Sequence, residues 1–416
     1  MSACAIGEKF GRLATVLLVC AICGSIRKSC EAAQPAPITA CTTLAGLIED
    51  TSSEPVFLAS YPTVTEGPLH AAAFLYDNAA AAIALVGCGQ TAKARRIGDA
   101  ILLAQKNDRF WHDGRLRNGY AAGPVGKGPV KLAGWWDDNR KQWLEDRYQV
   151  GSDTGNMAWA MLALLALDRA GAGPDYRAGA EQIGRWIVAS RDTRGLGGFT
   201  GGTFGHEPAP DVVTWKSTEH NTDLAAAFNR LADVTGEKDW RDLAWEAIRF
   251  VRAMWEPSCG CFAAGTGDNG VTRNPLLALD AQIWPPLAIA GERDRLADIF
   301  STVESRLRVG KGFAYSQAKD GIWTEGTAQT ALLYSLSGRN AEAETTAKEI
   351  ERQRAPAGGY YATDAATLPT GFMLSTDPAK PRLYYRLPHL GATAWAALAE
   401  CRYNPFTGTT DLPRQP

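Results

Sequence analysis

Five carboxylates open five apolar segments of this 416-residue chain: Asp77, Asp153, Glu219, Asp280 and Glu325. Acids gathered into one cavity lose water and repel one another, which raises the pKa of at least one. The outcome is a protonated acid beside an ionised base, the pair that cleavage of a glycosidic bond requires. Glu219 and Glu325 have the longest side chains of the five and are the expected catalytic pair. Asp153 is the rival for the base, and Asp77 and Asp280 are left to hold substrate. Capping is the simpler account of any single acid, since a carboxylate in a first helical turn satisfies free amides for about 0.3 to 1 kcal/mol. Sequence leaves both accounts open until the five are shown to converge.

The richest of these openings is the stretch Trp215-Lys216-Ser217-Thr218-Glu219-His220-Asn221-Thr222-Asp223. Its indole, with Trp323, Trp111 and the pair Trp135-Trp136, offers flat faces on which the C–H faces of a sugar ring can lie, while Gln329 adds an amide. With thirteen tryptophans in the chain, cover for helix ends is the competing role. Asp137-Asp138-Asn139-Arg140 reads as a cleft wall or as a solvated loop. His220 and His389 stand at two further openings. Two imidazoles across a cavity suit proton abstraction and return; a satisfied structural histidine is the alternative for each. No His-x-x-x-His pair or other dense ligand set appears, so neither a catalytic metal nor a cofactor is expected. The glycines of 195–205 follow a helical pattern, not a strand, and do not make a phosphate loop.

The elements that position these residues repeat. From Tyr76 onward a strongly apolar helix alternates with an amphipathic one. The run Ala158 to Leu167 is apolar throughout, as in a helix buried on all sides. Its partner, Pro174 to Arg191, carries a stripe at Tyr176, Ala180, Ile183 and Ile187, as in a helix with one wet face. Corresponding pairs open at Asp77, Glu219, Asp280 and Glu325, and a sixth apolar helix runs from Gly391 to Glu400. Pro285-Pro286 should bend or shorten the fourth apolar helix. Gly198-Phe199, Cys261-Phe262, Gly312-Phe313 and Gly359-Tyr360 mark tight turns between successive pairs. The openings are too unevenly spaced for a solenoid. Six apolar helices, five of them with an amphipathic companion, predict a closed all-α ring.

This pattern resembles the six-hairpin (α/α)6 barrel of many glycoside hydrolases and some polysaccharide lyases and sugar epimerases. The resemblance spans residues 70 to about 406. It rests on the hairpin count, the Gly-aromatic turns and the motifs Tyr76-Asp77-Asn78-Ala79, Ser152-Asp153-Thr154-Gly155-Asn156, Thr218-Glu219-His220-Asn221 and Thr324-Glu325-Gly326-Thr327-Ala328-Gln329. It implies a secreted bacterial carbohydrate-active enzyme, with a glycoside hydrolase first, an inverting one by analogy, and a lyase or epimerase second. A non-catalytic glycan-binding protein, its acids serving only as caps, is the third reading.

Composition sets the frame. Apolar residues at 45% and charged ones at 21% suit a soluble globular chain with a large core. A formal charge of -2 gives no footprint for nucleic acid or anionic lipid. Residues 1–33 read as an export signal, with Lys9 and Arg12 ahead of the apolar run Leu13 to Cys23 and Ala32-Ala33 at a cleavage site. That run is shorter than the ~20 residues of a spanning helix. No membrane insertion is expected after removal of the signal, and a periplasmic or secreted monomer acting on carbohydrate follows. Residues 34–70 form a lead-in lying across the body, 71–406 the barrel, and 407–416 a tail. Beyond the signal, Cys41, Cys88, Cys259, Cys261 and Cys401 remain; a Cys41–Cys401 disulfide or unpaired cysteines are both compatible with the spacing.

Overall fold

The computed structural model describes residues 39–49, 52–373 and 381–414, so the signal pattern of residues 1–33 lies outside the described residues. Its α-helices in chain order are α1 (Ala40–Gly46), α2 (Leu75–Gly87), α3 (Thr91–Lys106), α4 (Thr154–Arg169), α5 (Pro174–Ile187), α6 (Thr218–Thr235), α7 (Lys238–Ala253), α8 (Asp280–Ala288), α9 (Leu296–Arg306), α10 (Thr324–Leu336), α11 (Asn340–Arg352) and α12 (Leu390–Glu400). The even-numbered helices pack in sequence, α2 on α4, α4 on α6, α6 on α8, α8 on α10, α10 on α12, and α12 back on α2. That closes a ring. Each odd-numbered helix packs outside it, so the architecture is an all-α (α/α)6 barrel of six helical hairpins.

Residue type explains which helix lies where. In α4 every residue from Thr154 to Leu167 is buried, and burying one leucine contributes about 2 kcal/mol. In α7, Trp240, Ala244, Ala247, Ile248 and Val251 are buried while Lys238 and Asp242 pair on the wet face. Helix α8 carries Pro285 and Pro286 and spans nine residues, the shortest of the inner helices, as its prolines dictate. The Gly-aromatic turns form short antiparallel pairs, Trp255–Glu256 with Cys261–Phe262 and Arg308–Val309 with Gly312–Phe313. The Gly359-Tyr360 turn departs from that rule: Tyr360–Tyr361 pairs with Pro388–His389, on the entry to α12.

The segment expected to lie across the body is built into it. Helix α1 packs on α12 and α2 and is the outer partner of the sixth hairpin, supplied by the N-terminal end of the described chain. Leu44, Ile48, Phe57 and Leu58 join the core. The other end is anchored too, since Leu412 is buried and Asn404 Nδ2 donates to Asp411 O at 3.1 Å. Because α1 crosses the ends of both α2 and α12, Cys41 meets Cys88, and that disulfide forms where Cys41–Cys401 had been an option. Cys259 and Cys261 are bonded to each other across one glycine, and Cys401 is a free thiol.

Helical periodicity builds a floor beneath the ring's mouth. Four residues past Gly155, Asp280 and Gly391 lie Trp159, Trp284 and Trp395, one turn deeper on the same helix faces. Their ring centroids stand 5.4, 5.6 and 6.1 Å apart, and Phe406 packs on Trp159 at 5.4 Å. Helices α4, α8 and α12 are not neighbours in the ring. Their tryptophans can meet only across its interior, which they fill.

Candidate active site

The five acids stand at the mouth above this floor, and the two accounts of them separate residue by residue. Asp153 is the N-cap of α4, accepting from the backbone N–H of Gly155 at 2.9 Å and of Asn156 at 3.4 Å. Asp280 accepts from the N–H of Ala281 at 2.7 Å. Capping therefore explains Asp153, while Asp280, one residue inside α8, satisfies a first-turn amide without being the N-cap, which is Leu279. Capping does not explain Glu219, because α6 is capped by Ser217, whose hydroxyl accepts from His220 N–H. Nor does it explain Asp77 or Glu325, which lie in first turns without capping bonds.

Glu325 is held by one oxygen only. Its Oε1 accepts from the hydroxyl of Tyr76, and Gln329 Nε2 lies 3.4 Å from the same atom. Tyr76 in turn accepts from Trp395 Nε1 at 2.8 Å, so the floor fixes the tyrosine that fixes the acid. Oε2 of Glu325 has no hydrogen-bond partner. Glu219 makes no hydrogen bond among the described residues, and it alone of the five acids is partly exposed.

Both histidines are bound at both ring nitrogens. His220 Nε2 lies 3.3 Å from Asp153 Oδ1 and its Nδ1 3.2 Å from Thr154 Oγ1. His389 caps α12, its Nδ1 accepting from Ala392 N–H at 3.3 Å, while Nε2 faces Asp77 Oδ2 at 3.2 Å. Two glycines make room for these pairs. A Cβ on Gly155 would meet His220 Cδ2 at 2.7 Å, and one on Gly391 would meet Asp77 Oδ1 at 2.7 Å and Glu325 Oε2 at 2.9 Å.

The charges confirm that the acids share one field. Burial, then the negative charges of Asp280, Asp153 and Glu325, hold the Glu219 carboxyl well above the usual range; Glu219 keeps partial exposure, yet enough protein surrounds it for burial to dominate. Burial also lifts Glu325 to about 7, against the lowering effects of His389 and the Tyr76 hydrogen bond. Asp280 rises to about 6 through burial, and Asp153 rises for the same reason with His220 opposing. His220 is pushed down by burial. For His389, burial works against the charge, but Asp77 and Glu325 outweigh it and the imidazole is raised.

Aromatic side chains encircle the acids. Trp323 packs with Tyr315 at 5.3 Å and with Tyr384 at 5.9 Å, and Tyr384 and Tyr61 both pack on His389. On the other side Trp215 lies 5.4 Å from His220 and continues through Phe204 to Tyr148. Arg382 stacks on Tyr148 at 3.8 Å and pairs with Asp146 at 3.3 Å. Trp215 and Trp323 are therefore in the belt. Trp111 instead lies under Arg115 at 3.7 Å and against Phe110. Trp135 and Trp136 sit on a short hairpin with Gln142–Leu144; Asp137 ends the first strand opposite Gln142, and Asp138, Asn139 and Arg140 lie in the turn.

Sequence reasoning missed Tyr61, Tyr148, Tyr315, Tyr384 and Arg382, whose positions depend on segments between helices, and it gave no role to Tyr76, which lies in the first turn of α2. It also missed Asp223, which did carry a signal. Four residues after Glu219 on an otherwise apolar face, it is buried with neither carboxylate oxygen hydrogen-bonded, and burial with Glu219 nearby holds it well above the usual carboxylate range.

No family model and no curated protein matches the chain. Solved structures do match in fold. A wild-type glycosidase aligns with a TM-score of 0.59 at 14% identity over 86% of this chain and 94% of its own, and a glycosidase variant in complex with glucose aligns at the same score and identity. Cellobiose 2-epimerase from Bacillus thermoamylovorans aligns at 0.56 and 12% identity over 86% and 95% of the two chains. A glycoside hydrolase family 76 mannosidase from Bacteroides thetaiotaomicron aligns at 0.55 and 14% identity over 86% and 96%. The six-hairpin barrel is thus a fold shared with these structures, and at these identities the likeness carries the fold alone.

Proposed function

We propose that this protein is a glycoside hydrolase in which Glu219 is the general acid and Glu325 the general base. One observation carries the choice: both ring nitrogens of His220 and His389 are engaged, whereas Glu219 is partly exposed and makes no hydrogen bond among the described residues, and the buried Oε2 of Glu325 has no hydrogen-bond partner, with His389 Nδ1 4.0 Å away. Neighbouring negative charges favour the proton on Glu219. The His389 imidazole and the Tyr76 hydroxyl favour ionised Glu325. In the proposed step Glu219 gives its proton to the glycosidic oxygen as the bond to the anomeric carbon breaks. A water adds to that carbon and its proton passes to Oε2 of Glu325. Exchange with solvent then restores both carboxyls. Oε1 of Glu325 is already held by Tyr76 and Gln329, so one oxygen orients the carboxylate and the other takes the proton; this division suits activation of water and hence inversion. Asp77, Asp153 and Asp280 hold sugar hydroxyls, with Trp215 and Trp323 in the aromatic wall.

The setting proposed is periplasmic or extracellular, supported by the signal pattern of residues 1–33 and by two disulfides in the described chain. A sugar epimerase is the second reading, favoured by the presence of both histidines at the mouth. Incubation with a panel of oligosaccharides, read by NMR, separates the two. New reducing ends whose first-formed anomer is inverted support the proposal. An isomerised sugar without cleavage supports the epimerase and overturns it.

A further inference from the structure

Three cysteines that are far apart in sequence meet at the C-terminal ends of α2 and α12, at the other end of these helices from the mouth. Cys41 lies in the first turn of α1, Cys88 follows the last residue of α2, and Cys401 follows the last residue of α12. Their sulfurs all lie within 4.8 Å of one another. Cys41 and Cys88 are bonded; Cys401 is a thiol whose nearest acceptor is Leu398 O at 3.7 Å. All three are partly exposed. The residue beside Cys88 is Gly87, and a Cβ there would fall 3.1 Å from Cys401 Sγ and 2.8 Å from Tyr403 Cβ. Without a side chain at 87, the turn after α12 closes directly onto the disulfide, and nothing separates thiol from bond.

We propose that Cys41, Cys88 and Cys401 form a thiol–disulfide exchange site, in which the single disulfide moves among the three sulfurs. Cys401 loses its proton to solvent, its thiolate attacks one sulfur of the Cys41–Cys88 bond, and the other sulfur leaves as a thiolate that takes up a proton. One S–S bond forms and one breaks. There is no net oxidation and no external oxidant is needed. The isomers differ in what they do to the fold. Cys41–Cys88 ties the outer helix α1 to α2, and Cys41–Cys401 would tie it to α12. Cys88–Cys401 would join the two inner helices and leave α1 held by packing alone. The helix that completes the sixth hairpin is then tethered or released by exchange, and the released sulfur is open to small thiols and thiol-directed reagents.

The thiolate is the attacking form, so the rate follows its population. Burial pushes the Cys401 thiol up to about 11, with Glu400 adding to the rise and the backbone N–H groups of Tyr403 and Cys401 opposing it. Glu400 accepts from Ala40 N–H at the start of α1, and Arg402 is turned away to Ser335 O. Apart from Cys41, α1 carries no titratable side chain. Exchange should therefore quicken about tenfold per pH unit below that value.

The test is thiol trapping on the full chain. Protein is held at pH 7.5 and pH 9.5, quenched in acid, alkylated with N-ethylmaleimide under denaturing conditions and mapped by peptide mass spectrometry. The expected result is label on Cys401 and also on Cys88 or Cys41, totalling one thiol among the three, reached faster at pH 9.5 and at a rate independent of protein concentration. Cys259–Cys261 serves as the internal control and stays unlabelled. Label confined to Cys401 at both pH values overturns the proposal, and so does a rate that rises with protein concentration. A Cys401→Ser variant should show no label at Cys41 or Cys88; the wild-type mapping decides the matter even where that variant folds poorly.

Discussion

The imidazole of His389 and the carboxylate of Asp77 meet at 3.2 Å across the seam where the last inner helix closes onto the first. A second pair, His220 and Asp153, joins two adjacent inner helices in the same way at 3.3 Å. In each case the histidine's other nitrogen is also bound, so in the proposed mechanism the imidazoles position acids and charge, and the carboxyls of Glu219 and Glu325 react.

His389→Gln tests that division. His389 is the group that most lowers Glu325, so its loss should raise the Glu325 carboxyl further and move the acidic limb of the pH–rate profile upward. Activity at pH 6 should drop several-fold and recover substantially by pH 8, with KM little changed. An equal, complete loss at every pH would instead make His389 a proton-transferring residue.

The pH dependence of the wild type follows from the same groups. A base that titrates near 7 makes kcat/KM fall about tenfold per unit below that point, and loss of the Glu219 proton sets the alkaline limb. Stability has a definite sign as well. Glu325 and Asp280 are raised above their unfolded values, so the native state binds more protons between pH 4.5 and about 7, and the stability present at low pH is lost as pH rises through 6 and 7. Thermal unfolding should give a higher Tm at pH 5.5 than at pH 8, and Glu325→Gln should narrow the difference. A Tm that rises across this range, unaltered in the variant, would contradict the assignment.

Gly391 is small because two acids close over it. In Gly391→Ala the new methyl meets Asp77 Oδ1 and Glu325 Oε2 at under 3 Å, which should cost about 1 to 3 kcal/mol and lower activity by more than tenfold. Gly46→Ala is the control. Its Cβ meets nothing within 4 Å, and being helical it should be neutral or stabilising by about 0.5 to 1 kcal/mol. Chemical denaturation with parallel assays distinguishes the two.

What could be read from the sequence was whatever the helix itself encodes. Buried and half-wet helices differ in local periodicity, and acids at helix starts are visible one by one, so the ring and its five acids were legible. The i+4 relation that puts Asp223 beneath Glu219 was equally local, but its polar residue looked like part of a cluster rather than a second layer. The aromatic belt was not legible. Tyr148, Tyr315 and Tyr384 lie between helices, and their rings face the mouth only because strands, turns and Arg382 hold them there. The sixth outer helix was hidden by order, since α1 and α12 stand at opposite ends of the chain and no local pattern announces that they pack together. Cys41 pairs with Cys88 for the same reason, as both choices lay within reach of the seam.

The central claim is tested most directly by kcat/KM for Glu219→Gln and Glu325→Gln on a glycan that the wild type cleaves, with circular dichroism and Tm to show that both variants fold. Each substitution keeps side-chain shape, Glu219→Gln removing the proton that is donated and Glu325→Gln the carboxylate that accepts one, so the prediction is a loss of about 10² to 10⁴ in each. Wild-type turnover in both folded variants would contradict it.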